Sequence, residues 1–364
     1  MRLPPETIDR ALGEVRHLDD WLPAWNRAAQ RHLAEARRED GIGHWQEAGT
    51  ARRNAALCYH VAHLITDDDP RTVRALRAAG VQAFSQAIPR LMPHVRKVGV
   101  PWRATMLPAY LAKPPLHHDR LPVVVLLNGA TTTKEETILW SDHFLERGLA
   151  VLALDWPGTG EAVEGGPLSS KCDDITDGLI AFAENEGDLD PARVSLVGFS
   201  LGGVVAVRAA ALDRRIDACV TVTSPYDARR WIGAVNPIVG HQLLSLAGQS
   251  SSLSDLAEDF ALPDVINRLR SPILVFGAGR DLVVPPGESL HLSAAAGDLA
   301  TLVWYPQGSH GLYEHVEDWT TVAAHWLATL FQMPSMIATE STWVDEAASG
   351  EDRVLSADPT PTSP

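Results

Sequence analysis

Residues 194–207 read Val-Ser-Leu-Val-Gly-Phe-Ser-Leu-Gly-Gly-Val-Val-Ala-Val, and this stretch decides the fold. Val194–Val197 is a short apolar run typical of a buried strand, and the residues after Ser200 are typical of a helix. Gly198 and Gly202 flank the serine at two residues on either side, where close backbone contacts of a sharp strand-to-helix turn require small residues. The pattern predicts a strained serine with its hydroxyl above the end of a strand. A glycine-rich turn with an idle serine is the alternative.

The alternation of short apolar runs and helical segments extends on both sides of this turn. Runs that are apolar on both faces and separated by helices indicate a parallel sheet covered on each side. An antiparallel pair at Val98–Ala104 and Met106–Ala112 is expected to lead into the sheet, and Val316–Leu330 is predicted as the last core helix. The other predicted strands are Pro122–Leu127, Ala150–Leu154, Ala218–Val222, Ile273–Phe276 and Leu302–Tyr305.

Four segments follow from this pattern. Residues 1–95 show only helical spacing and are predicted as a helical N-terminal cap domain. Residues 96–332 are predicted as the α/β catalytic domain, in which residues 228–265 interrupt the alternation. We interpret that interruption as a lid insertion, because long irregular segments within a sheet fold are usually functional. Residues 333–364 are rich in Ser, Thr, Pro, Glu and Asp and are predicted as a disordered acidic tail.

Composition excludes several classes of protein. The 31 Lys and Arg residues against 46 Asp and Glu give a net charge of −15, so we expect neither a nucleic-acid nor a membrane partner. Cys58, Cys172 and Cys219 form no paired motif, and the first ten residues lack the apolar core of a signal peptide. We therefore expect a cytoplasmic protein. No metal or nucleotide motif occurs, so no metal and no cofactor are expected.

A serine hydroxyl becomes a good nucleophile only when a base removes its proton, and an acid must orient that base. Asp281 and His310 each follow a predicted strand, in the chain order that this fold requires. We assign nucleophilic attack to Ser200, proton transfer to His310 and orientation of the imidazole to Asp281. Asp227, which follows another strand, is an alternative acid, and Asp281 could instead cap the next helix.

The negative charge that develops on an attacked carbonyl oxygen needs preorganised donors. The backbone N–H of Leu201, at the start of a helix, is one candidate. Ala130 is the second candidate, with Thr131 as its alternative, because both lie in the loop after the first parallel strand. Lys134–Glu136 is expected to form the charged first turn of a helix.

Several side chains near the same ends of the strands are expected to shape a pocket for a small-molecule substrate. For Trp156, simple packing is an equally good alternative. The candidates are Thr131, Trp156, Tyr226, Asp227 and Trp231.

Over residues 97–332 the chain resembles the α/β-hydrolase superfamily. Within it, the chain is similar to the branch that contains dihydroxypseudooxynicotine hydrolase and the FrsA-like esterases. Three features carry this resemblance: the helical region before the sheet, the run Thr133–Glu136, and the segment Asp155–Glu161. The resemblance implies a Ser-Asp-His triad at Ser200, Asp281 and His310, a helical region over the pocket and a homodimer. It also implies ester hydrolysis or cleavage of a C–C bond beside a ketone.

A further pocket carboxylate of the C–C hydrolase has no counterpart that we can align, because residues 225–231 contain no glutamate. The leading hypothesis is a serine hydrolase that cleaves an ester or a β-diketone-like C–C bond through an acyl-enzyme. An acyltransferase or cyclase that releases a polyketide-like acyl group would use the same nucleophile. An inactive scaffold with this fold is the third hypothesis.

Overall fold

The computed structural model describes residues 3–64, 70–115, 119–248, 251–333 and 354–356. The chain divides into two compact units. The first unit runs to Lys97 and also includes Pro237–Gln242, and the second unit holds the other described residues. In the described ranges, no helix is both long enough and apolar enough to cross a membrane.

The first unit is helical. Successive helices α1 to α4 pack on one another, and small buried side chains such as Ala28 in α2 and Ala55 in α3 allow close approach. The side chain of Gln242 donates to the carbonyl oxygen of Leu64, which joins the later segment to the end of α3. The four helices are α1 (Pro5–Gly13), α2 (Trp21–Gly41), α3 (Trp45–His63) and α4 (Pro70–Leu91).

The described residues form one sheet of nine strands in the order β1-β2-β4-β3-β5-β6-β7-β8-β9. Strands β3 to β8 run parallel, whereas β2 is antiparallel to β4 and β9 is antiparallel to β8. Every residue of β3 and β4 is buried, as expected for strands covered on both faces. The strands are β1 (Val95–Trp102), β2 (Thr105–Ala112), β3 (Leu121–Leu127), β4 (Ala150–Leu154), β5 (Leu189–Phe199), β6 (Ile216–Val222), β7 (Ile273–Ala278), β8 (Ala300–Tyr305) and β9 (Val354–Ser356).

Helices connect successive parallel strands, so the carboxyl ends of the strands meet at one edge. This arrangement confirms the predicted α/β-hydrolase fold with a mostly parallel sheet and a helical region before it. The helices are α5 (Lys134–Thr137), α6 (Asp142–Leu145), α7 (Ile175–Asn185), α8 (Leu201–Leu212), α9 (Pro237–Ala247), α10 (Leu253–Asp259), α11 (Gly287–Ala296) and α12 (Val316–Leu330).

The segment predicted as a lid lies between β6 and β7 and contains α9 and α10. Its two ends pair with each other: the N–H of Ala228 donates to the oxygen of Phe260 at 3.3 Å, and the N–H of Leu262 donates to the oxygen of Tyr226 at 2.9 Å. The two ends of this segment therefore lie side by side, and its role as a lid stays a prediction.

Most of the predicted acidic tail lies outside the described residues. The prediction of disorder does not hold at Val354–Ser356, where β9 pairs with β8. Without β9, β8 would be an edge strand with one row of unpaired N–H and C=O groups, so a short apolar segment can add to it.

Candidate active site

The turn between β5 and α8 holds Ser200 in a left-handed conformation, with φ 51° and ψ −122°. The N–H of Ser200 donates to the oxygen of Val222 at the end of β6, at 2.9 Å. A Cβ atom at Gly198 would overlap the backbone of Gly202, and a Cβ atom at Gly202 would overlap the carbonyl oxygen of Asn128. Both glycines are therefore required by close backbone approach, as the sequence pattern predicts.

Three side chains from the ends of three strands form a line of hydrogen bonds. His310 Nε2 lies 3.1 Å from Ser200 Oγ, and His310 Nδ1 lies 2.7 Å from Asp281 Oδ2. The other oxygen of Asp281 accepts the N–H groups of Val283 and Val284, each at 2.8 Å. Asp281 thus contacts the imidazole and also accepts N–H groups of the turn that follows it, whereas the N-cap of the next helix, α11, is Pro286. The imidazole side chain is 19% exposed, which leaves it accessible from one side.

The conformation of the loop that carries His310 is fixed by close packing and by hydrogen bonds of its own residues. Gly311 and Leu312 have φ values of 81° and 49°, and a Cβ atom at Gly311 would overlap the ring of Phe199. Ser309 donates its N–H and its hydroxyl to the carboxylate of Glu314. Burial alone would raise the pKa of Glu314, but these hydrogen bonds outweigh burial and hold that pKa below its usual value.

The β3–α5 loop, residues 128–133, lies against the serine. A Cβ atom at Gly129 would stand 3.4 Å from Ser200 Cβ. Asn128 is fully buried and donates its amide to two carbonyl oxygens of its own loop, at 2.8 and 2.6 Å, which fixes the loop conformation. No described residue accepts the N–H of Ala130 or of Leu201. Both N–H groups thus have no acceptor among the described residues, and their role as oxyanion donors stays a prediction.

Lys134, Glu135, Asp155 and Glu161 form a buried group that we name the Lys134 cluster. Lys134 Nζ lies 2.7 Å from Glu135, 2.9 Å from Asp155 and 2.6 Å from Glu161, and its side chain is 0% exposed. Burial lowers the pKa of Lys134, but the three carboxylates outweigh burial and raise that pKa well above its usual value. The predicted charged helical turn exists as α5, but it is buried.

Trp156 is enclosed and joins the same two loops. Its indole Nε1 donates to the carbonyl oxygen of Asn128 at 2.7 Å, and its ring packs 6.4 Å from the ring of Phe260. With 0% of its surface exposed, Trp156 is accounted for by the packing alternative rather than by a place in an open pocket. Together with the Lys134 cluster, it ties the β3–α5 loop to the loop after β4.

The other predicted pocket residues are half-buried, and the carboxylate of Asp227 has a partner other than the imidazole. The carboxylate of Asp227 binds the guanidinium of Arg229 at 2.7 Å, whereas the carboxylate of Asp281 contacts the imidazole at 2.7 Å. Tyr226 and Asp227 donate their N–H groups to buried Glu288, at 2.9 and 2.7 Å. Glu288 was not predicted from the sequence, where it reads as a polar residue at the start of α11.

Thr131 and Trp231 are half-buried. Neither residue hydrogen-bonds to Ser200 among the described contacts, so their place in a pocket stays a prediction. Among the described ranges, no three His, Cys, Asp or Glu side chains gather as a metal site.

Comparison with known protein families identifies the family of this chain. The model of the alpha/beta hydrolase family matches residues 124–325. The chain belongs to the alpha/beta hydrolase family. Its described core, β3 to β8 with the turn at Ser200, lies almost entirely within the matched residues.

Two curated relatives and one solved structure show how far the likeness extends. The chain is 28% identical over 213 residues to 2,6-dihydropseudooxynicotine hydrolase of Paenarthrobacter nicotinovorans, covering 58% of this chain and 57% of that protein. It is 31% identical over 223 residues to 20-hydroxy-prefusarin hydrolase of Gibberella moniliformis, covering 57% and 53%. The matches thus span little more than half the length of these relatives. This chain superposes on the crystal structure of the 2,6-dihydroxy-pseudo-oxynicotine hydrolase with a TM-score of 0.78. The superposition covers 90% of this chain and 93% of that chain at 22% sequence identity, which shows a shared fold.

Proposed function

We propose that this protein is a serine hydrolase that cleaves an ester or a β-diketone-like C–C bond of a small organic molecule. The observation that supports this proposal is the line of hydrogen bonds from Ser200 through His310 to Asp281. The left-handed turn at the serine adds to it, because such a turn presents the hydroxyl above the strand end.

In the proposed reaction, Ser200 Oγ attacks the carbonyl carbon while His310 Nε2 takes the hydroxyl proton. Asp281 stabilises the imidazolium, and the N–H groups of Ala130 and Leu201 donate to the developing oxyanion. His310 then gives the proton to the leaving group, which is an alcohol from an ester or an enolate carbon from a diketone. The acyl group remains on Ser200.

Water completes the cycle. It attacks the acyl-enzyme, His310 takes one of its protons, and that proton returns to Ser200 Oγ as the carboxylic acid leaves. The overall reaction consumes one water and yields an acid with either an alcohol or a ketone. No cofactor is needed for this balance.

The choice of substrate class rests on the relatives. They are named as hydrolases of 2,6-dihydropseudooxynicotine and of 20-hydroxy-prefusarin, both small organic molecules. We therefore propose a small-molecule substrate. A homodimer and a cytoplasmic location are proposals as well, and light scattering on the purified protein would test the first.

The test uses p-nitrophenyl esters of increasing length and a symmetric aliphatic β-diketone, with products quantified by mass spectrometry. Wild type should release acid and alcohol, or acid and ketone, in equal amounts. Ser200→Ala should release neither, whereas Ser254→Ala, at an exposed serine on α10, should match wild type. Turnover by Ser200→Ala at the wild-type rate would refute the mechanism. Transfer of the acyl group to an added alcohol, with no free acid, would identify an acyltransferase.

A further inference from the structure

Two consecutive residues at the end of β6 hold two separate parts of the site. Val222 accepts the N–H of Ser200 at 2.9 Å, and the hydroxyl of Thr223 accepts the N–H of Gly311 at 3.0 Å. Thr223 is itself fixed, since its N–H donates to the oxygen of Phe276 in β7 at 2.9 Å. The end of β6 is therefore a common anchor for the nucleophile turn and for the loop that carries the imidazole.

Thr223 occupies an unfavourable backbone conformation. Its φ is 47°, in the left-handed region that β-branched residues rarely adopt, and only 1% of its surface is exposed. Ser200 and Leu312 have the same sign of φ within this site. Strained residues of this kind persist where surrounding contacts hold them, and they concentrate at functional sites. Glycine would adopt this φ without strain, so the contacts of the threonine side chain, among them the bond from its hydroxyl to Gly311, are what hold the residue here.

The other backbone hydrogen bonds of the His310 loop join it to itself or to the loop that carries Asp281. Leu312 donates its N–H to Ser309 within the loop at 3.0 Å, and Arg280 donates its N–H to Gly308 from the loop that carries the acid, at 2.9 Å. Among the described contacts, the bond from Gly311 to Thr223 is the one that ties this loop to β6. Gly311, the donor of this bond, is the residue directly after His310.

We propose that Thr223 is a positioning residue that sets the separation between His310 Nε2 and Ser200 Oγ. This inference rests on the proposed function of the same site. If the hydroxyl is removed, the buried N–H of Gly311 loses its acceptor, and the loop moves until that N–H finds another partner. The bond between His310 and Asp281 does not include the Thr223 hydroxyl, so we expect the imidazole to stay oriented but to lie farther from the serine.

The test measures the rate at which a fluorophosphonate probe labels Ser200, from about pH 5 to about pH 9. Thr223→Val removes the hydroxyl at nearly constant volume, and Thr223→Ser restores it. The plateau rate of Thr223→Val should fall about tenfold, as expected for one lost hydrogen bond, and its pH midpoint should not move. Thr223→Ser should stay within about threefold of wild type.

A purely structural role predicts a different pattern. Thr223→Val and Thr223→Ser would then both lose stability, while the folded fraction of each would be labelled at the wild-type rate. Urea unfolding is therefore measured beside labelling. Thr223→Gly removes the hydroxyl and the strain together. It should fold even if Thr223→Val does not, and it should also label slowly.

Wild-type labelling rates in Thr223→Val or in Thr223→Gly would overturn the inference. Equal slowing in Thr223→Ser and Thr223→Val would overturn it as well, because the hydroxyl would then be irrelevant. Absence of labelling in wild type would instead refute the proposed function, and any role for Thr223 would fall with it.

Discussion

Replacing Lys134 with methionine should lower the free energy of unfolding by about 3 kcal/mol, because it leaves buried carboxylates without their cation. Methionine has a similar length and fills the same space, so the cavity cost is small. The side chain of Lys134 is 0% exposed and contacts Glu135, Asp155 and Glu161 within 2.9 Å. Removing one partner of a buried ion pair typically costs about 3–5 kcal/mol.

Two features of the cluster place the expected loss at the lower end of that range. Asp155 keeps two backbone donors, the N–H of Lys134 at 2.8 Å and the N–H of Glu161 at 2.9 Å. Burial already raises the pKa of Glu135, so this carboxyl can take up a proton when the lysine is lost. The remaining cost falls mainly on Asp155, whose side chain is 0% exposed.

Urea unfolding followed by circular dichroism measures the effect. With a slope of about 3 kcal/mol per molar urea, the midpoint should drop by about 1 M. Lys171→Met is the matched control, since Lys171 is 62% exposed and lies 3.5 Å from Asp259, and its midpoint should not move. A Lys134→Met midpoint equal to that of the control would refute the account of the cluster.

Three further predictions concern charge, packing and the acid. Burial raises the pKa of Glu135, so its ionisation costs stability as the pH rises above the ordinary value of 4.5. In urea titrations from about pH 4 to about pH 8, the unfolding free energy of Glu135→Gln should therefore rise relative to that of wild type. A difference that stays constant with pH would contradict this. Gly202→Ala should lose at least about 2 kcal/mol of unfolding free energy by overlap with the β3–α5 loop. A Cβ atom at Gly233 would have no other atom within 4 Å, so Gly233→Ala should match wild type in the same titration. Asp281→Asn should slow fluorophosphonate labelling by about 10³-fold, whereas Asp227→Asn should leave it unchanged; the reverse order would make Asp227 the acid.

The sequence predicts the parallel strands and the serine turn well because both depend on local information. Apolar runs mark strands that are buried on both faces, and Gly198 and Gly202 mark a turn in which backbone passes too close for a side chain. The order of Ser200, Asp281 and His310 at strand ends then follows from the fold. Parallel strands bring these three residues to the same edge, although 110 residues separate the serine from the histidine.

Other features depend on partners that are distant in the sequence. Lys134 reads as an exposed helical residue, and its burial follows only from Asp155, 21 residues later. Trp156 reads equally well as a pocket residue or as packing until its bond to Asn128 is known. Thr223 carries no motif, and its role depends on the N–H of Gly311, 88 residues away. Strand β9 needs a free sheet edge, which a local pattern does not reveal.

The central claim is that Ser200 is an activated nucleophile. Intact-mass spectrometry after exposure to a fluorophosphonate, with wild type beside Ser200→Ala, tests it most directly. The account predicts a single adduct on wild type and none on the variant. An adduct of equal extent on Ser200→Ala, or none on either protein, would contradict it.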